Sequence, residues 1–289
     1  MNTYTALMVQ ARGLTKRYKN CNAVDGIDLS IPAGRIVGLI GPNGSGKTTT
    51  LKALLGLTSF EGEMLVMGYD PRTQRQEMME EVCFIADVAV LPRWLNVEQA
   101  ISFVEGMHPK FNRERAQAYL AKTKLTPKMK VREMSKGMIV QLHLALVMAI
   151  DAKLLVLDEP TLGLDLLYRK QFYQSLVEDY FDGEKTIIIT THQVEEVEHL
   201  LTDVVFLQKG KVVLSETTEN LESRFTEVLV PNHQLEKARA LSPIQERSLF
   251  GKTTLLFDRA DATQLAELGE TRSVRLSDLF IATMKETYA

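Results

Sequence analysis

Cysteine is nearly absent from this 289-residue chain, with Cys21 and Cys83 far apart and lacking metal-type spacing. That excludes a disulfide-stapled scaffold and a cysteine-rich zinc site, and it predicts two buried thiols in a reducing compartment. Positive charge is not in surplus either: Lys and Arg number 34 against 37 Asp and Glu, a net charge of −3. With no basic stripe along the chain, general nucleic-acid binding, which has to neutralise phosphates, is excluded. Long hydrophobic runs are missing as well. The longest, Leu144 to Ile150, is far short of the roughly 20 residues needed to cross a bilayer, so any membrane role is expected to come through a partner. The opening stretch has no basic segment followed by an apolar one, so no secretory signal is expected. Internal repeats and low-complexity tracts are also absent.

What is present is an alternation of short β-rich runs with helical stretches, on a chain long enough for one main domain and a smaller piece. Ala6 to Ala11 and Ile27 to Ile31 are expected to be early strands, with Asp25-Gly26 a turn before the second. Ile36 to Ile40, Glu63 to Met67 and Val82 to Ala86 are further candidates, and Glu98 to Lys124 is expected to be helical, broken at His108-Pro109. Leu154 to Leu157 and Thr186 to Thr190 are continuous apolar or β-branched runs. Strands buried on both faces have this composition, which predicts an α/β fold around a mostly parallel sheet covered by helices. Val204 to Gln208 and Lys211 to Leu214, joined at Lys209-Gly210, form a candidate closing hairpin. Beyond Arg224, Pro231, Pro243, Gly251 and Gly269 punctuate short elements, and residues 224–289 are expected to form a small accessory domain.

Directly after Ile36 to Ile40 comes Gly41-Pro42-Asn43-Gly44-Ser45-Gly46-Lys47-Thr48-Thr49, which contains a complete G-x-x-x-x-G-K-[ST] phosphate-binding pattern. Its glycines let backbone N–H groups turn inward around the phosphates of a nucleoside triphosphate. Lys47 adds a point charge to the same oxygens, and Thr48 offers a hydroxyl to Mg²⁺. The helix formers that follow, Leu51 to Leu55, would set the positive end of a helix dipole under the anion. Gly251-Lys252-Thr253-Thr254 repeats only the end of this pattern and is expected to be a turn entering a strand, Thr253 to Phe257.

Leu154 to Leu157 runs into Asp158-Glu159-Pro160, placing two carboxylates at the tip of a buried strand, where ligands of α/β sheets gather. Asp158 suits Mg²⁺, and Glu159 suits the general base that polarises an attacking water. His192 follows Thr190-Thr191 at another strand tip, ahead of a segment expected to start a helix. Its ring could donate to a γ-phosphate or hold the water.

Together these residues resemble the ATP-binding cassette family, the ATPase subunits of ABC transporters, over roughly residues 6 to 222. The resemblance implies a P-loop NTPase core with an N-terminal antiparallel β subdomain and a helical subdomain at about 88–150, together making an ATP-binding domain over 1–223. It implies ATP and Mg²⁺ as ligands, a homodimer sandwiching two nucleotides, and integral membrane permease subunits as partners. Such a subunit would be cytoplasmic, on the inner face of the membrane. Met134-Ser135-Lys136-Gly137-Met138 lies where the family carries a Leu-Ser-Gly-Gly-Gln signature, so Ser135 and Gly137 are implied to bind the γ-phosphate held by the opposite copy. Lys136 and Met138 depart from that signature. Tyr18 matches the aromatic that stacks on adenine, or is simply packed. Leu162-Gly163-Leu164-Asp165 resembles the loop that crosses the dimer interface, and Asp165 equally suits a helix N-cap. Where the family has a glutamine, this chain has Asp87, which could contact metal-bound water but cannot donate as an amide does. Val90 to Leu95 falls in the zone that receives the permease, where Trp94 is either an anchoring contact or core. Met78, Met79, Met107 and Met134 are expected to be adaptable packing residues. Val274 to Phe280 looks like the tail of exporter-type cassettes. Two alternatives to a transporter subunit stay open on the sequence: a non-transport cassette ATPase, and a nucleotide-sensing module with weak turnover.

Overall fold

Alternation within single strands explains how one sheet separates two cores. The computed structural model describes residues 6–19, 21–85, 91–162, 166–249 and 251–284. Its chain opens with two long antiparallel strands, β1 (Leu7–Tyr18) and β2 (Cys21–Pro32), then β3 (Ile36–Ile40), α1 (Lys47–Leu54), β4 (Glu61–Val66), α2 (Arg75–Met79) and β5 (Val82–Ile85). Three helices follow, α3 (Val97–Met107), α4 (Arg113–Ala121) and α5 (Lys136–Met148). Then come β6 (Leu154–Asp158), α6 (Leu166–Ser175), β7 (Thr186–Thr191) and the hairpin β8 (Asp203–Gln208) and β9 (Lys211–Thr217). Among the described residues the central sheet has the order β5-β6-β7-β3-β8-β9, parallel throughout except for β9.

In this sheet Ile36, Ile40, Leu155, Leu157, Ile187 and Ile189 face a core completed by Phe172, Tyr173 and Tyr180. Their sequence neighbours Val37, Leu39, Val156 and Ile188 face the opposite core, with Leu51 and Leu54 of α1 and with Val9, Leu14, Ile27 and Leu29 of the antiparallel sheet β2-β1-β4. Both faces are apolar, which is why these strands have no polar alternation in the sequence.

Two early expectations need correction. The expected turn at Asp25-Gly26 is a bulge inside one continuous strand: Leu14 pairs with Ile27 but Lys16 with Val24, so the register shifts there. Gly26 takes φ +67° and donates to Thr15 Oγ1 at 3.0 Å, satisfying the N–H that the bulge removes from the ladder. Cys21, expected to be buried, is exposed, whereas Cys83 is buried and its thiol is pushed up to about 12 by desolvation.

The helical segment has its own core of Leu95, Val97, Ile101, Leu120, Leu142 and Leu146. Asn96 starts α3 with a capping box, accepting from Gln99 N at 2.8 Å while Gln99 Oε1 accepts from Asn96 N at 3.0 Å. Trp94 lies beside this core and not in it, being 68% exposed, and Met107 is exposed as well. His143 on α5 has a buried Nε2 without a hydrogen-bond partner, and burial pushes its pKa from the ordinary 6.5 down to about 4. Between those values the unfolded chain takes up a proton that the folded chain refuses, so stability falls as pH drops through this window and is fully regained above it. From pH 7.5 to 5.0 this group is expected to remove about 2 kcal/mol. Urea unfolding of the protein and of His143→Gln at the two pH values checks it: the loss on acidification is smaller in the variant by that amount.

After the hairpin come α7 (Thr218–Arg224), β10 (Phe225–Val230), α8 (Leu235–Arg239), β11 (Gln245–Leu249), β12 (Lys252–Asp258), α9 (Ala262–Leu268), β13 (Glu270–Ser273) and α10 (Leu276–Met284). The strands form an antiparallel sheet in the order β11-β12-β10-β13. One of its faces buries Val228, Val230, Leu255 and Phe257 against Leu265 and Leu268. Phe225 and Leu256 join the large core together with Leu279 and Met284 of α10, and Phe280 meets Phe206 edge to face at 5.3 Å. Among the described residues, no helix is long and apolar enough to cross a membrane.

Candidate nucleotide site

Three adjacent strands, β6, β7 and β3, end side by side, and each hands over to residues singled out in the sequence. Ile40 pairs with Thr191, and Asp158 with Thr190, so the phosphate-binding loop, the two carboxylates and His192 emerge at one edge of the sheet. Gly41 N donates to Thr191 O at 3.4 Å, tying the loop to β7. Gly46 forms the N-cap of α1 at φ +110°, and a Cβ there would collide with the carbonyl of Ala23, so only glycine lets β2 and the loop approach this closely. Thr50 N closes the first bond of the helix, on Gly46 O at 2.8 Å, which leaves the N–H groups of Lys47, Thr48 and Thr49 without intrahelical acceptors.

Lys47 is 6% exposed and its amine is held by its own loop, donating to Gly41 O at 2.7 Å and Pro42 O at 3.3 Å. Burial lowers its pKa, against the pull of Glu159 and Asp158 in the other direction. Its Nζ lies 3.6 Å from Glu159 Oε1. His192 Nδ1 is 3.0 Å from both oxygens of Glu159. A carboxylate only accepts, so Nδ1 is the protonated nitrogen of the ring. Asp158 Oδ1 accepts from Thr48 Oγ1 at 3.2 Å and from Thr190 Oγ1 at 2.6 Å.

An open cleft of about 610 Å³ runs over this constellation, a size that suits a nucleotide. Asn43, Gly44, Ser45, Gly46, Lys47, Thr48, Thr49, Glu159 and His192 line it, with Tyr18 at its rim, 46% exposed and 5.1 Å from Lys16 Nζ. Ser45 Oγ is buried with no hydrogen-bond partner, and together with the free N–H groups of α1 it fits an anion of the size of a phosphate chain. The oxygen-only pair of Thr48 and Asp158 fits Mg²⁺, which binds through one or two carboxylates and substrate phosphates. Among the described residues no group of three or more His, Cys, Asp and Glu could hold a metal by itself.

Ser135 and Gly137 are not among the residues lining this cleft. Ser135 caps α5, accepting from Met138 N at 3.3 Å. Asp87, Gly163, Leu164 and Asp165 lie outside the described residues. The segment after His192, expected to be helical, is only a 3-10 turn, Val194–Glu196. It is anchored by Arg169 of α6, which donates to Gln193 Oε1 and Glu196 Oε1. Sequence reasoning missed Cys21 and Ala23 as cleft residues, and it missed the Thr190 hydroxyl. In a strand, threonine is first a β-former, so its hydroxyl gives no signal of its own.

The model of a family described as ABC transporter matches residues 24–162. The chain is 32% identical over 298 residues to Nod factor export ATP-binding protein I of Cupriavidus metallidurans, a match covering 95% of this chain and 96% of that one. It is 30% identical over 234 residues to the daunorubicin/doxorubicin resistance ATP-binding protein DrrA of Streptomyces peucetius, covering 77% and 69%. A solved structure titled as the ATP binding subunit of an ABC transporter superposes with a TM-score of 0.67 at 23% identity, over 75% of this chain and 92% of its own, a likeness that concerns the fold. A near full-length match at this identity, over a chain whose phosphate loop, paired carboxylates and histidine meet at one cleft, places the protein among the ATPase subunits of ABC transporters.

Proposed function

We propose that two copies of this chain close on two molecules of ATP and use their hydrolysis to drive separate membrane-spanning permease subunits, in the direction of export. The observation that carries the reading is the contact of Glu159 with His192 Nδ1 at the mouth of the phosphate loop, which sets a base where water would meet a γ-phosphate. In this reading Glu159 accepts the proton of the attacking water, and His192 keeps the carboxylate aimed. Lys47 and the N–H groups at the start of α1 hold the phosphates, and Tyr18 stacks on the base. Thr48 and Asp158, with Asp87 as a further candidate, would hold Mg²⁺, which supplies charge neutralisation between the phosphate oxygens. Ser135 and Gly137 complete the site of the opposite copy, in keeping with their place outside their own cleft. Export is supported by the relatives, one named for Nod factor export and another for drug resistance. Such a subunit works at the cytoplasmic face of the membrane, bound to its permease. We assign residues 1–223 to the ATP-binding domain, with helices at about 88–150 as its helical part, and 224–289 to an accessory domain.

Mixing two inactive variants tests the shared site. Lys47→Ala and Ser135→Arg are each expected to reduce turnover to background. In an equal mixture, half of the dimers pair an intact loop from one copy with an intact Ser135 from the other, at one site of two. Activity is then expected to return to about a quarter of the normal rate at most. A mixture that stays at background would refute the shared site.

A further inference from the structure

We infer that Thr190 is a positioning residue for hydrolysis, its single hydroxyl fixing the metal-site carboxylate and the catalytic base relative to one another. The inference rests on the roles proposed above for Asp158 and Glu159.

Thr190 is fully buried on β7, directly beside Asp158 in the parallel register. An ionised carboxylate cannot donate, so the 2.6 Å contact to Asp158 Oδ1 uses the one proton of the hydroxyl. Its lone pairs then face the other acid: Glu159 N donates to Thr190 Oγ1 at 3.1 Å and to the Thr190 carbonyl at 3.2 Å. That second partner matters because Glu159 sits at φ +49°, in the left-handed region that a side chain with a Cβ rarely adopts. Strained backbone of this kind persists only where the surroundings over-determine it. Here the surroundings are Thr190, and the result of the turn is the Glu159 carboxylate aimed at His192 Nδ1 and Lys47. The neighbouring threonines of β7 do other work. Thr186 Oγ1 accepts from Gly34 N, and Thr191 Oγ1 from Gln193 N. Among the threonines of β7, only the hydroxyl at 190 meets both residues, the carboxylate of Asp158 and the backbone N–H of Glu159.

A plain strand-forming role predicts that Val, the shape of Thr without its hydroxyl, serves as well as Thr. A positioning role predicts a split. In Thr190→Val, kcat is expected to fall by about 10- to 100-fold and the half-saturating Mg²⁺ concentration to rise about tenfold, the usual cost of losing a partner that orients a metal-site ligand. KM for ATP and affinity for a non-hydrolysed ATP analogue are expected to change little. Thr190→Ser keeps the hydroxyl and is expected to stay within about threefold of the normal kcat. If Thr190→Val does not fold, Thr190→Ala takes its place in the contrast with Ser. Equal kcat in the variants with and without the hydroxyl, measured where Glu159→Gln is inert, overturns the inference and leaves the proposed roles standing. Normal turnover in Glu159→Gln itself overturns those roles first.

Discussion

Replacing Glu159 by Gln is expected to lower ATP hydrolysis by about 10²- to 10⁴-fold while ATP stays bound and two copies stay closed around it. The amide has nearly the shape of the carboxylate, so its oxygen can still accept from His192 Nδ1, which lies 3.0 Å from both oxygens of the acid. What is lost is the ability to take a proton from water. Binding is not expected to suffer. Glu159 is a negative charge lining the cleft that receives a polyphosphate, and neutralising it removes a repulsion, while Lys47 keeps its hold on the loop carbonyls of Gly41 and Pro42. Phosphate release measured alongside size-exclusion chromatography in MgATP separates the two effects: turnover near zero, with a new dimeric peak. Turnover close to normal would remove Glu159 from the role of base.

How much of this site could be read without coordinates follows from the kind of signal each residue leaves. The phosphate loop is legible because its backbone has to come close to β2, and only glycine at 46 permits that. Strands β3, β6 and β7 are legible because burial on both faces leaves continuous apolar or β-branched runs up to Gly41, Asp158 and His192. The full lengths of β1 and β2 are not, because Asp25-Gly26 looks like a turn, whereas in the fold it serves a bulge. The segment after His192 has the composition of a helix start but stops after one 3-10 turn, held by Arg169, a partner on a different element. No local pattern encodes that pairing. Trp94 stays open between core and surface on the sequence, since a hydrophobicity count cannot say on which side of the turn ahead of α3 the indole falls.

The signature segment illustrates why a retained residue does not by itself identify a ligand contact. Gly137 is buried, and a Cβ there would collide with the ring of Tyr168 on α6. A larger residue at this position would have to displace that ring. Ser135, in contrast, is exposed at the head of α5, where its hydroxyl already caps the helix. Its role toward the opposite copy thus bears the test by mixed dimers, and Gly137 does not.

Lys47→Ala is expected to weaken ATP binding by about 10²- to 10³-fold. The amine is buried and immobilised before any ligand arrives, held by two carbonyls of its own loop and lying 3.6 Å from Glu159. Its conformational entropy has been lost on folding, so contacts made with phosphate oxygens count almost in full. With two of its three N–H donors on Gly41 O and Pro42 O, the ammonium has one left for a phosphate oxygen. That charge-assisted hydrogen bond, at about 1.5 to 3 kcal/mol, and about 1 kcal/mol of coulombic attraction to the polyphosphate give a combined loss on the order of 3 to 4 kcal/mol, which is the stated range of affinity. Arginine is not expected to rescue. Its planar guanidinium is wider than an ammonium and cannot take the place of a compact charge between Gly41 O, Pro42 O and Glu159 Oε1. Calorimetric titration with MgATP on the Glu159→Gln background, where hydrolysis does not interfere, reads the effect directly. An affinity within threefold of the parent would mean that the phosphates do not lie against this loop, and the assignment of the cleft to ATP would fall with it.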